Sequence, residues 1–178
     1  PQERAPSGWT ALQWAAAAED VVRLREVTLG PAHSDVAQSL GNLARVMLEQ
    51  GDLAGARGVF ERALHVHEAA LGLDHVDVAM SLAHLARVVG KQGELARARA
   101  LHERALRVFE AALGPSHPDV ATGLNDLAWV LSEQGDLGGA RALYERALRI
   151  DEATLGRTHP DVATNLGNLA GLLREQGD

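Results

Sequence analysis

The sequence repeats itself every 42 residues, and that period constrains the fold more than any other feature. Leu-Gly recurs at Leu29-Gly30, Leu71-Gly72, Leu113-Gly114 and Leu155-Gly156, each 42 residues from the last. Gln-Gly followed by an acid recurs in step, at Gln50-Gly51-Asp52, Gln92-Gly93-Glu94, Gln134-Gly135-Asp136 and Gln176-Gly177-Asp178. Residues 29–70 and 71–112 agree at roughly 26 of 42 positions without a gap, far beyond what composition bias gives. A fixed period of this kind marks a structural unit that cannot bury its apolar face alone and must stack on copies of itself.

Each unit reads as two helices. The first opens on Ser116-His117-Pro118-Asp119 or Thr158-His159-Pro160-Asp161, a pattern that predicts a capping box with the hydroxyl at the cap, an acid three residues on, and Pro in the first turn. Leu124, Leu127, Ala128 and Leu131 then fall at i, i+3, i+4 and i+7, one apolar stripe at helical period. The Gly of Gln-Gly closes that helix, and the acid after it suits the positive start of the next. The second helix carries Leu137, Ala140, Tyr144, Ala147 and Leu148 as its stripe and stops at Leu155-Gly156. Strand signals are absent.

Hydrophobic residues make up 46 % of the chain but aromatics only 3 %, so its interior is built from Ala, Leu and Val, which suits closely packed helices. A net charge of -7 opposes binding to nucleic acid, whose affinity rests on Lys and Arg neutralising phosphates. With no cysteine there is no disulfide, thiolate nucleophile or sulfur metal site, and a cytoplasmic location is expected. No stretch approaches the ~18 apolar residues of a membrane span, so no membrane partner is expected.

The pattern Leu-x-x-Leu-Ala-x-x-Leu, followed by Ala, an aromatic and Ala along the second helix, resembles the tetratricopeptide motif, with Ala44, Ala56 and Ala63 at its small positions. The longer unit, with Leu-Gly-Pro-x-His-Pro-Asp-Val-Ala and Gln-Gly-Asp-Leu, is similar to the kinesin-light-chain subclass. Phe60 and Tyr144 fill the aromatic position where His102 stands in the middle unit. The resemblance implies an all-α fold, a right-handed α-solenoid of antiparallel helix pairs with about eight helices. Residues 1–8 read as a flexible N-terminal segment and 9–178 as the solenoid: an orphan second helix at 9–29, repeats at 30–72, 73–114 and 115–156, and an orphan first helix at 157–178.

Eight histidines invite a metal reading, and His33, His75, His117 and His159 are the set that recurs. Repeats in such a stack are offset by about 10 Å, whereas zinc ligands converge within about 2.1 Å of one ion, so equivalent histidines cannot share a metal. They read as helix-start residues. Glu61, Glu103 and Glu145 occupy equivalent places, and repetition discourages the unequal environments that an acid–base pair needs. No cofactor, metal site or enzymatic activity is expected.

Binding residues should lie where the repeats differ. The resemblance implies that first helices line a concave groove and that particular motif positions face the ligand. Those positions hold Gln38 and Thr122, then Asn125, then Arg45, Arg87 and Trp129, then Lys91. Arg45, Arg87, Lys91 and Asn125 would form a partly basic stretch suited to an acidic peptide, beside Trp129, a residue type over-represented among those that dominate binding energy. The chain is thus expected to be a scaffold that binds a peptide or protein segment as a module of a larger protein. A solenoid that associates head to tail through its open ends, or a sensor module of a bacterial signalling protein, are the alternatives.

Overall fold

A computed structural model describes residues 11–176; the segment 1–8 lies outside the described residues. Among these, eight helices and no strands occur: α1 (Ala11–Leu29), α2 (Ser34–Glu49), α3 (Leu53–Leu71), α4 (Val76–Lys91), α5 (Leu95–Leu113), α6 (Pro118–Glu133), α7 (Leu137–Thr154) and α8 (Pro160–Gln176). They form two compact units that part between Leu73 and Asp74. The first holds α1–α3 and the second α4–α8. Within them the most extensive pairings are α2 with α3, α4 with α5 and α6 with α7, the hairpins that the period predicts.

The short turn inside each hairpin follows from three residues. At the end of α6, Gly135 adopts a φ of 83°, in the left-handed region that a side chain disfavours, so that Asp136 N–H reaches back to Leu131 O at 2.9 Å. Asp136 then caps α7 by accepting from Gly139 N–H at 2.9 Å, and Asp52 does the same from Gly55 at 2.8 Å. Glycine three residues after the cap is needed, because a Cβ at Gly139 would come within 2.5 Å of the Asp136 carboxylate. Where Arg97 replaces that glycine the cap is Glu94, which makes no side-chain cap bond and pairs with Arg97 at 3.6 Å instead.

The other helix starts differ from expectation. The cap is the histidine, not the hydroxyl residue before it: Nδ1 of His33, His75, His117 and His159 accepts from the N–H of Asp35, Asp77, Asp119 and Asp161 at 3.1 to 3.3 Å. The imidazole nitrogen supplies the acceptor that a Ser or Thr oxygen would, from one residue nearer the helix.

In the first unit, Val36, Ala37, Leu40 and Leu43 of α2 pack with Val22 of α1 and with Ala63 and Val66 of α3. In the second, Ala128 and Leu131 of α6, Ala140 and Tyr144 of α7 and Leu172 of α8 form a cluster. Ala44, Ala86 and Ala128 are fully buried at the small position, but Ala170, their equivalent in α8, is exposed. Helix α6 has two packed sides, one toward α5 of the preceding repeat and one toward its own second helix, α7. In α8 the former is covered, through Val162, Asn165 and Leu172, and Leu166 and Ala170 on the latter are exposed. Helix α1 shows the converse: Val22 is buried against α2, while Leu24 and Val27 are 64 % and 85 % exposed.

Arg57, Arg99 and Arg141 pair with Glu61, Glu103 and Glu145 one helical turn on. These are surface pairs within one helix, largely screened by solvent, and the fold does not depend on them.

Candidate functional site

The seven residues singled out by their motif positions fall on three first helices. Gln38 and Arg45 are exposed on α2 in the first unit; Arg87 and Lys91 lie on α4, and Thr122, Asn125 and Trp129 on α6, in the second. Of these, Arg87 and Thr122 meet in one place, a cleft of about 120 Å³ between α4 and α6. Met80, Ala83 and His84 of α4 share the lining with Arg87, and Asp119, Gly123 and Asp126 of α6 share it with Thr122, with Phe109 of α5 at the floor.

Why there is space here is visible one unit further along. Asn125, Asn165 and Asp151 stand 42 residues beyond Ala83, Gly123 and Phe109, and they fill the corresponding place between α6 and α8. Asn125 Nδ2 donates to Asn165 Oδ1, and Asn165 Nδ2 donates to Asp151 Oδ2 at 2.7 Å. Asn165 and Asp151 are buried, and burial raises the Asp151 carboxyl although the Asn165 hydrogen bond opposes it. With Ala and Gly at the same positions, α4 and α6 leave the gap open down to Phe109. A Cβ at Gly123 would lie 3.8 Å from the Phe109 ring.

Charge in the cleft is mixed. Arg87 is exposed and Asp126 half-buried, and among the described residues neither has a hydrogen bond or an ion pair. Burial pushes the Asp126 carboxyl up to about 6, with Arg87 pulling the other way. Nearby on α5, His102 is 1 % exposed and neither ring nitrogen has a hydrogen-bond partner among the described residues. Burial first, and the Arg87 charge second, hold its imidazole down at about 4, so it is neutral at pH 7.

The remaining candidates are engaged elsewhere. Asn125 is tied to Asn165, joining α6 to α8. Trp129 lies against α4, where a Cβ added at Gly90 would come within 2.9 Å of its Cζ3 atom. The indole occupies the space that a bare Gly90 backbone leaves, which is packing on the preceding unit. Lys91 is exposed on the last turn of α4. His84 and Asp126 were not among the candidates, although the position they share changes from unit to unit, through Asn42, His84, Asp126 and Asn168, and that variation was the available signal. In the first unit, Trp14 of α1 and Val46, Glu49 and Gln50 of α2 line a wider opening of about 360 Å³.

Paired helices in a 42-residue period, with small residues buried where first and second helices meet, define an α-solenoid of helical hairpins. The sequence matches the tetratricopeptide repeat family over residues 35–111, 77–153 and 139–178, and the chain belongs to that family. Solved structures share the fold. BtubC (BKLC) from P. vanneervenii superposes with a TM-score of 0.81 at 21 % identity, over 96 % of this chain and 68 % of that one. Two structures of nearly identical TPR-like kinesin light chain repeats from Podosopora anserina give TM-scores of 0.79 and 0.77 at 24 % identity, over 94 % of this chain and 79 % of each. No curated protein matches the sequence. No helix among the described residues is long and apolar enough to cross a membrane.

Proposed function

We propose that the chain is a protein-interaction module that holds a peptide segment of a partner along its first helices, with the α4–α6 cleft as the seat. The observation that carries this reading is the exchange of a polar plug for a cavity: Ala83, Gly123 and Phe109 leave open the place that Asn125, Asn165 and Asp151 fill one unit later. A gap between packed helices forfeits contacts on all its walls, and a partner side chain restores them. An acidic partner follows from Arg45, Arg87 and Lys91 taken alone; the carboxylates of Asp119 and Asp126 weigh against it in this cleft. The test is selection of dodecapeptides by phage display on the full chain, then affinity by fluorescence anisotropy. Ala83→Trp, which fills the cleft, should weaken the selected peptides by about tenfold or more with the helical circular dichroism unchanged. Unchanged affinity would refute the assignment.

A second reading, head-to-tail association of copies, is supported by two exposed apolar faces. Helix α1 is a second-type helix that exposes Val21, Leu24 and Val27, and α8 is a first-type helix that exposes Leu166 and Ala170. Docked together in different copies, they would reproduce the hairpin packing seen in α2 with α3.

A further inference from the structure

The two sides of the α4–α6 cleft do not respond equally to a partner. Arg87 is exposed and its guanidinium is solvated, so an anion brought to it replaces water with little gain. Asp126 is in the opposite state. Its carboxylate is half-buried, has lost much of its water, and has neither a hydrogen bond nor an ion pair among the described residues to replace it. Burial holds it at about 6 for that reason. A donor supplied from outside recovers solvation that Asp126 lacks, and a charged donor recovers most.

Beside this carboxylate the floor is apolar, formed by Ala83, Gly123 and Phe109. The cleft of about 120 Å³ is several times the roughly 10–15 Å³ that one water needs in the same measure, so it admits an extended side chain. Lysine and arginine combine an aliphatic stem with a cationic donor head, and they lay the stem on apolar surface while the head seeks a polar partner. The chain's net charge of -7 favours the approach of a cationic segment. Resting on the peptide-binding reading, we infer that the cleft takes a lysine or arginine side chain of the partner, its stem on Phe109 and Ala83 and its head at Asp126, with Asp119 alongside.

The probe is the set of phage-selected dodecapeptides, resynthesised with a fluorescent label and measured against the full chain. Lys or Arg should be enriched at one position, and replacing that residue by norleucine, which keeps the stem and removes the charge, should weaken binding about tenfold. Asp126→Asn, which is isosteric, should cost the basic peptide a similar factor and leave the norleucine peptide nearly unaffected, so that the two losses do not add. Equal binding of the norleucine peptide, with Ala83→Trp still disruptive, would overturn the inference and leave the peptide site standing. So would enrichment of acidic peptides that respond to Arg87→Ala and not to Asp126→Asn. Failure to select any peptide, or indifference to Ala83→Trp, would remove the peptide reading and this inference with it.

Discussion

His102→Phe should make the protein more stable, and by an amount that depends on pH. His102 stands where Phe60 and Tyr144 stand in the flanking units, so the site accepts a six-membered ring. Its two ring nitrogens are buried without partners among the described residues, and each such group costs about 1–3 kcal/mol. Allowing for imperfect repacking, the gain at pH 7.5 should be about 2 kcal/mol. On acidification the gain grows. The folded-state value of about 4 lies below the ordinary 6.5, so the unfolded chain takes up a proton that the folded chain refuses. His102 therefore costs nothing extra above pH 6.5 and costs progressively more down to pH 4, reaching roughly 3 kcal/mol at about 1.4 kcal/mol per pH unit. Asp126 acts in the opposite sense: its folded value of about 6 lies above 3.8, so stability from this group is present below pH 3.8 and is lost as pH rises through 6. Its contribution is about 2 kcal/mol once partial exposure is allowed for. In the native chain the two effects oppose each other between pH 4 and 6, and His102→Phe leaves Asp126 unopposed. Urea unfolding followed by circular dichroism should give a variant more stable by about 2 kcal/mol at pH 7.5 and by about 4 to 5 kcal/mol at pH 4.5. A destabilised variant at pH 7.5, or the same difference at both pH values, would refute the argument.

Two further outcomes follow from burial. Ala86→Leu should lower stability by about 1–3 kcal/mol through overpacking at a fully buried site, whereas Ala170→Leu, at the equivalent but exposed place in α8, should change it by less than about 0.5 kcal/mol; equal effects would mean that the α8 packing is wrong. If copies associate head to tail, light scattering should show a mass rising above 18.9 kDa with concentration, and Leu166→Glu with Ala170→Glu should abolish the rise. A monomeric mass throughout would discard that reading.

The helical frame was legible because each of its determinants is local and repeated. Leu-Gly and Gln-Gly mark the helix ends, and the Ala44, Ala86 and Ala128 series marks the close packing. The cap was misplaced by one residue because hydroxyl side chains are the commoner acceptors, and nothing in Ser116-His117 says which of the two turns inward. The cleft was less legible for a different reason. It arises from what Ala83 and Gly123 lack, 40 residues apart, and attention to charged and aromatic residues passes over small ones. Asn125 and Trp129 were chosen because they stand at motif positions that the resemblance turns toward a ligand, but their partners Asn165 and Gly90 lie 40 and 39 residues away, and a register along one helix does not reveal what faces it across the next. His84 and Asp126 could have been found from variation between units alone.

The packing of Trp129 on Gly90 carries a consequence for how such an array can change. Unit frames are equivalent, but the residues at the joints are not: the positions matching Gly90 hold Leu48 and Ser132, and those matching Trp129 hold Arg45, Arg87 and Gly171. A unit bearing Trp129 set directly after the one bearing Leu48 would drive an indole into a leucine side chain. One bearing Asn165 set after Ala83 would bury an amide with no Asn125 to meet it. The α4–α6 and α6–α8 joints thus each have a lock and a matching key, so reordering the units that form them is penalised although every unit has the same length. The chain is a sentence whose words cannot be reordered, and that fixed order keeps the cavity at one address along the array.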